Sequence, residues 1–189
     1  MRRYRPIVAA LAVALAAGPA AAQSTGYEGE MFVKAVSEDN GAEAMKLLKD
    51  KPNLVNARNV EGKTALVAAI ETRNHDWTAY LLQNGADPNL RSAGGETPLI
   101  AAARAGFSEA VDWLISVGAK VDDANRQGET ALIIAVQNRH VPIVRTLVAR
   151  GADPDRADSA AGYSARDYAK RDNRTPELLR IIEAKKPKG

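Results

Sequence analysis

Residues 92–124 read SAGGETPLIAAARAGFSEAVDWLISVGAKVDDA, and the punctuation within them decides the fold. Gly94-Gly95 marks a turn. Thr97 stands where a helix needs an N-cap, because its hydroxyl can accept from a free N–H of the first turn. Pro98 follows at the first helical position, where its missing N–H removes no bond. The apolar run Leu99 to Arg104 predicts a short helix that Gly106 breaks. Ser108 to Val117 predicts a second helix, and Gly118 suits the left-handed residue beyond its end.

Most of the chain consists of copies of this unit. Gly62, Gly95 and Gly128 are spaced by 33 residues, as are Thr64, Thr97 and Thr130. The same step relates Gly85-Ala86, Gly118-Ala119 and Gly151-Ala152, and also Leu81-Leu82, Leu114-Ile115 and Leu147-Val148. A further copy follows after one inserted residue, carrying Gly162, Ser164, Ala169 and Ile181-Ile182. Agreement at several independent positions, with two helices per period, predicts a solenoid.

The units GKTALVAAI, GETPLIAAA and GETALIIAV, each followed later by Gly-Ala-Asp or Gly-Ala-Lys, resemble ankyrin repeats. The resemblance runs from about Tyr27 to Lys186. It departs from the family pattern at Val67, Ile100 and Ile133, which stand in place of the usual His, and at Ala65 and Ala131, which stand in place of Pro. It implies an all-α solenoid of about five helix-turn-helix repeats joined by β-hairpin-like turns, with first helices on the concave side. The expected divisions are residues 27–58 as N-terminal cap, 59–91, 92–124, 125–157, and 158–186 as C-terminal cap.

The first cap lacks the Gly-x-Thr opening, and Lys51-Pro52-Asn53-Leu54-Val55-Asn56 replaces its Gly-Ala ending. Its first helix is expected over Glu30 to Glu38, with Met31, Phe32, Ala35 and Val36 inward. In the last unit Arg166 replaces the core Leu and Asp167 the His. Terminal repeats must wet one face, so such departures fit caps. Ala68-Ala69, Ala101-Ala102 and Ala135 are small where neighbouring first helices approach closely.

Met1 to Ala22 is expected to be a secretory signal peptide. Arg2, Arg3 and Arg5 precede the apolar run Ile7 to Ala17, which is too short to span a bilayer, and Ala20-Ala21-Ala22 offers a cleavage site. Gln23 to Gly26 then forms a flexible spacer. The absence of cysteine removes disulfides and a lipid-modified cysteine anchor. Losing three of the 26 cations with the leader leaves a body balanced against its 23 acidic residues. A nucleic-acid footprint needs a concentrated basic face, and Lys185, Lys186 and Lys188 form only a terminal cluster. The expected location is the periplasm or the exterior, with no membrane association after cleavage, no cofactor and a monomeric state.

His75 and His140 lack the spacing of a zinc site, no G-x-S-x-G stands near any serine, and Gly94-Gly95 lacks the Lys-Ser/Thr that completes a phosphate loop. An enzyme or metal protein using either histidine is the remote reading. The family resemblance instead implies non-catalytic protein binding through turn tips and the exposed side of the first helices. The matching residues are Lys63, Glu71, Glu96, Arg104, Arg126, Gln127, Glu129, Gln137, Asn138, Tyr163 and Arg171. Arg104, Arg126 and Tyr163 stand out because binding hot spots favour Arg and aromatics. Cross-repeat pairs Lys63–Glu96 and Glu71–Arg104 are expected as the alternative, purely structural use of these charges. The partner is an unidentified protein, and an immunity- or inhibitor-type role against an exported enzyme is the alternative. Trp77, Tyr80 and Trp113 lie on second helices, as core filler or as a second contact surface; Tyr80 and Trp113, 33 residues apart, are expected to be neighbours.

Overall fold

The computed structural model describes residues 25–184. The leader, Gln23-Ser24 and the basic cluster Lys185, Lys186 and Lys188 lie outside the described residues. Among the described residues the chain forms ten α-helices and no strand. They are α1 (Thr25–Ser37), α2 (Gly41–Asp50), α3 (Ala65–Glu71), α4 (His75–Gln83), α5 (Pro98–Ala105), α6 (Ser108–Ser116), α7 (Ala131–Gln137), α8 (Val141–Ala149), α9 (Ala165–Arg171) and α10 (Pro176–Ala184). This is the ankyrin-type all-α solenoid. Isolated antiparallel bridges Arg58–Thr64, Ala124–Thr130 and Ala157–Ser164 close the turns between repeats.

Local chemistry starts each first helix. The hydroxyls of Thr64, Thr97 and Thr130 accept from the N–H groups of Val67, Ile100 and Ile133 at 3.3, 3.2 and 3.3 Å. Ser164 and Asp167 cap α9 reciprocally, which gives the residue at the His position a capping role. Helices as short as α3 and α7, seven residues each, are not stable alone in water. Packing sustains them: Ala65 to Ile70 and Ala131 to Val136 are buried without a break. First helices α1, α3, α5, α7 and α9 form one layer, each against the next; α4, α6, α8 and α10 form the second. Ala69, Ala102 and Ala135 are fully buried between neighbours, where larger side chains would overpack.

The N-terminal cap differs from expectation in two ways. Thr25 and Gly26, expected in the spacer, belong to α1. Glu28 in its first turn favours the longer helix through the macrodipole and pairs with Lys51 at 2.5 Å. Met31 is only half-buried, while Val33 joins Phe32, Ala35 and Val36 in the core.

Gly29 lies inside α1, where helix propensity alone would favour alanine by about 1 kcal/mol. A Cβ there would fall 2.6 Å from the Arg58 carbonyl oxygen. Gly29→Ala is therefore expected to destabilise, by about 1 kcal/mol or more, through overpacking. Urea unfolding checks the sign, and a stabilised variant would contradict the close approach.

Candidate functional site: turn tips and the first-helix face

One polar residue organises each turn, at positions 59, 92, 125 and 158. Asn59 Oδ1 accepts from Lys63 N–H at 2.8 Å. Ser92 Oγ donates to the Glu96 carbonyl at 3.2 Å. Asn125 Oδ1 accepts from the N–H groups of Gln127 and Glu129 at 3.0 and 2.9 Å. Asp158 Oδ1 accepts from those of Ala160, Ala161 and Gly162 at 2.9, 2.6 and 3.1 Å. At three of the four turns the following residue ties its turn to the preceding repeat. Val60 N–H donates to Glu30 Oε2 at 2.8 Å, Arg126 N–H to the Gly94 carbonyl at 3.1 Å, and Ser159 N–H to the Gln127 carbonyl at 2.7 Å. The tips of the last three repeats thus share an edge with a fixed backbone.

The side chains group differently from expectation. Lys63 Nζ pairs with Glu71 at 2.7 Å, and Arg104 Nε with Glu96 at 3.0 Å. These pairs lie within single repeats, correcting the expected cross-repeat pairs Lys63–Glu96 and Glu71–Arg104. Partial exposure keeps each pair to about 0–1 kcal/mol. Glu71, Glu96 and Arg104 border one open hollow with Ala101 and Ala105.

Toward the C-terminus, Gln137 and Arg171 border a second hollow with Val136, Arg139, Tyr168 and Asp172. The Arg171 guanidinium lies 3.7 Å from the centre of the Tyr163 ring, a cation–π contact that orients both. Tyr163 meets Tyr168 edge-on at 5.7 Å. Glu129 accepts from Asn125 Nδ2 at 2.8 Å. Arg126, Gln127 and Asn138 are exposed. The candidates therefore form two clusters on the first-helix face, with Arg126 and Gln127 on the tips.

The last repeat concentrates perturbed carboxyls. The Arg166 guanidinium, bonded at 2.6 and 3.2 Å, holds Asp155 below the usual carboxylate range. The Ser164 hydroxyl, then its N–H, does the same for Asp167. The Arg174 N–H lowers Asp172, aided by Arg139 against the effect of burial. Arg166 at the core-Leu position thus stays at the margin, paired to Asp155.

The histidines do not converge. His75 faces Phe107 and Trp113 edge-on at 4.6 and 6.0 Å, while His140 lies against Gly106. Among the described residues no group of three or more His, Asp or Glu is placed to hold a metal. Trp77 is buried, and Tyr80 and Trp113 pack partly buried on the core. Tyr80 meets Trp77 at 5.5 Å, and Trp113 meets His75 and Phe107. The core-filler reading fits these packed positions.

A second set of residues was hidden in the same periodicity: Asn56, Asn89 and Asp122. Asn56 Nδ2 donates to the Gly85 carbonyl at 3.1 Å while its Oδ1 accepts from Asp87 N–H at 2.8 Å. Asn89 repeats this with Gly118 and Lys120 at 3.1 and 2.9 Å. Asp122 accepts from Asp153 N–H at 2.8 Å, but a carboxylate has no N–H for the Gly151 carbonyl. Asp122→Asn is expected to stabilise by about 0.5–1.5 kcal/mol by supplying that bond. A chemical-denaturation curve shifted to lower denaturant would contradict it.

No helix among the described residues is long and apolar enough to cross a membrane. The family model described as ankyrin repeats (3 copies) matches residues 80–158, and that described as ankyrin repeats (many copies) matches residues 47–102. Comparison with curated proteins gives no match. Ankyrin repeats are generally protein–protein interaction modules and typically non-catalytic. The two matches together cover more than half of the chain, which belongs to the ankyrin-repeat family.

Proposed function

We propose that this chain is an exported binding scaffold that docks one protein partner on its turn tips and first-helix face, in the periplasm or outside the cell. The main-chain edge carries this reading. Arg126 and Gln127 are exposed, yet their backbones are bonded to the Gly94 carbonyl and the Ser159 N–H. Side chains on a fixed backbone lose less conformational freedom on binding than those on mobile loops. Arg104, held by Glu96, and Arg171, held against Tyr163, extend the same logic along the face. Export rests on the leader-like Met1 to Ala22.

The test is crosslinking in living cells with a photoreactive residue in place of Gln127, followed by mass spectrometry. One protein is expected to be captured at this position, and its yield to fall with Arg126→Glu. Capture no different from that at exposed Arg180 on α10 would sink the docking reading. Cell fractionation with N-terminal sequencing checks export separately. A mature N-terminus at Gln23 outside the cytoplasm is expected, and a cytoplasmic chain retaining Met1 would refute it.

A further inference from the structure

We propose a second docking site on the other layer: the groove between α2 and α4, taking an acidic, aliphatic peptide segment of another protein. The groove has a structural origin. Along the second-helix layer α4 packs on α6, α6 on α8 and α8 on α10, whereas α2 packs on α1 and on the 3-10 turn Pro52–Asn56 and hardly touches α4. That turn occupies the place of the Gly-Ala loop of the inner repeats. A cleft of about 670 Å³ is open between α2 and α4, with the turn's Pro52 and Val55 in its lining. Its volume falls within the usual span of ligand-binding clefts.

The lining identifies the occupant by chemistry. Met45, Leu48, Val55 and Tyr80 form an apolar floor, and Met45 is 45% exposed, so this floor is open to solvent. Methionine is flexible and polarisable, which suits a surface that adapts to different aliphatic side chains. Lys46 and Lys49 stand at the rim, both exposed. Neither has an ion-pair partner among the described residues, although Lys34, Lys51 and Lys63 each do. No carboxylate lines the groove. Unneutralised cations beside apolar surface complement a ligand that is both aliphatic and anionic. The groove is open along one side, so its occupant keeps one edge in water. That suits a peptide with an apolar and a polar edge, and not an acyl chain that is apolar all round.

This inference is independent of docking on the first-helix face, and its test is separate. The probe is a pool of short fluorescein-labelled peptides alternating Leu, Ile or Met with Asp or Glu. A matched pool carries Lys at every acidic position. Binding to the whole chain is followed by anisotropy and by emission of Trp77, whose ring meets Tyr80 edge-on. At least one acidic peptide is expected to bind saturably and to perturb Trp77. Lys46→Glu combined with Lys49→Glu, and separately Met45→Glu, should each weaken it about tenfold or more. All three positions are exposed, so the variants are expected to remain folded, which circular dichroism checks. Absence of binding by every acidic peptide overturns the proposal. So does equal binding of the lysine pool, or binding indifferent to these substitutions. Dimers in sedimentation that Met45→Glu dissolves would make the groove a self-interface, and displacement of the peptide by phosphatidylglycerol vesicles would make it a lipid face; either outcome also overturns it.

Discussion

Replacing Asp158 with alanine is expected to destabilise the C-terminal repeat by about 2–3 kcal/mol. Asp158 is 5% exposed and its carboxylate accepts four hydrogen bonds. Three come from the Ala160, Ala161 and Gly162 N–H groups and the fourth from the Tyr168 hydroxyl at 2.7 Å. Removing it releases the turn and leaves the hydroxyl without its acceptor. Native-state hydrogen exchange should show the loss first in α9 and α10. The same site carries a pH signature. Burial pulls the Asp158 pKa upward, but the Tyr168 hydroxyl and the three N–H groups outweigh it, leaving the pKa below its ordinary 3.8. A carboxyl depressed in the folded state contributes stability that is complete above its unfolded value and lost as pH falls toward the folded one. Asp155, Asp167 and Asp172 act in the same direction. The last repeat is therefore expected to loosen as pH falls below about 4, less steeply in Asp158→Ala. Equal acid sensitivity of wild type and variant would contradict this assignment.

Gly128→Ala should destabilise by about 2–4 kcal/mol, as left-handed strain adds to overpacking. Gly128 has φ of +76°, and a Cβ there would lie 2.7 Å from the Ser159 backbone nitrogen and 2.6 Å from its hydroxyl oxygen. That is the point where Ser159 N–H bonds the Gln127 carbonyl, so accommodating the methyl parts the last two tips. Gly162 supplies the control. It has φ of +70° at the equivalent turn position, but its Cβ would meet nothing within 4 Å. Gly162→Ala should therefore cost only the conformational part, about 1–2 kcal/mol. Equal losses for the two variants in urea unfolding would show that the repeat-to-repeat approach at Gly128 is without consequence.

Periodicity made the layers and breaks legible, because identical slots impose identical demands on residue type. Thr97 and Gly106 are sufficient examples: the first caps α5 and the second ends it with a φ of +68°. Side-chain pairing was not legible. Lys63 could face Glu71 or Glu96 on spacing alone, and only the three-dimensional placement of the tip beside α3 selects Glu71. The role of Asp158 was hidden because its slot holds Asn, Ser and Asn in other repeats, with no sign that the last becomes buried. The groove beside α2 was hidden for a related reason. An irregular stretch such as Lys51 to Asn56 announces a cap, but not the gap that it opens next to Tyr80.

The missing donor at Asp122 bears on how the molecule would yield to tension. Load applied between the two ends passes through every repeat boundary in series, so the least fastened boundary determines where the rod parts. Asn56 and Asn89 clamp their boundaries with two bonds each, whereas Asp122 offers only its acceptor. At that rung the side-chain clamp is lighter by one bond, and the load there falls on the Arg126–Gly94 and Arg156–Asp122 carbonyl bonds and on the Arg150–Asp112 pair.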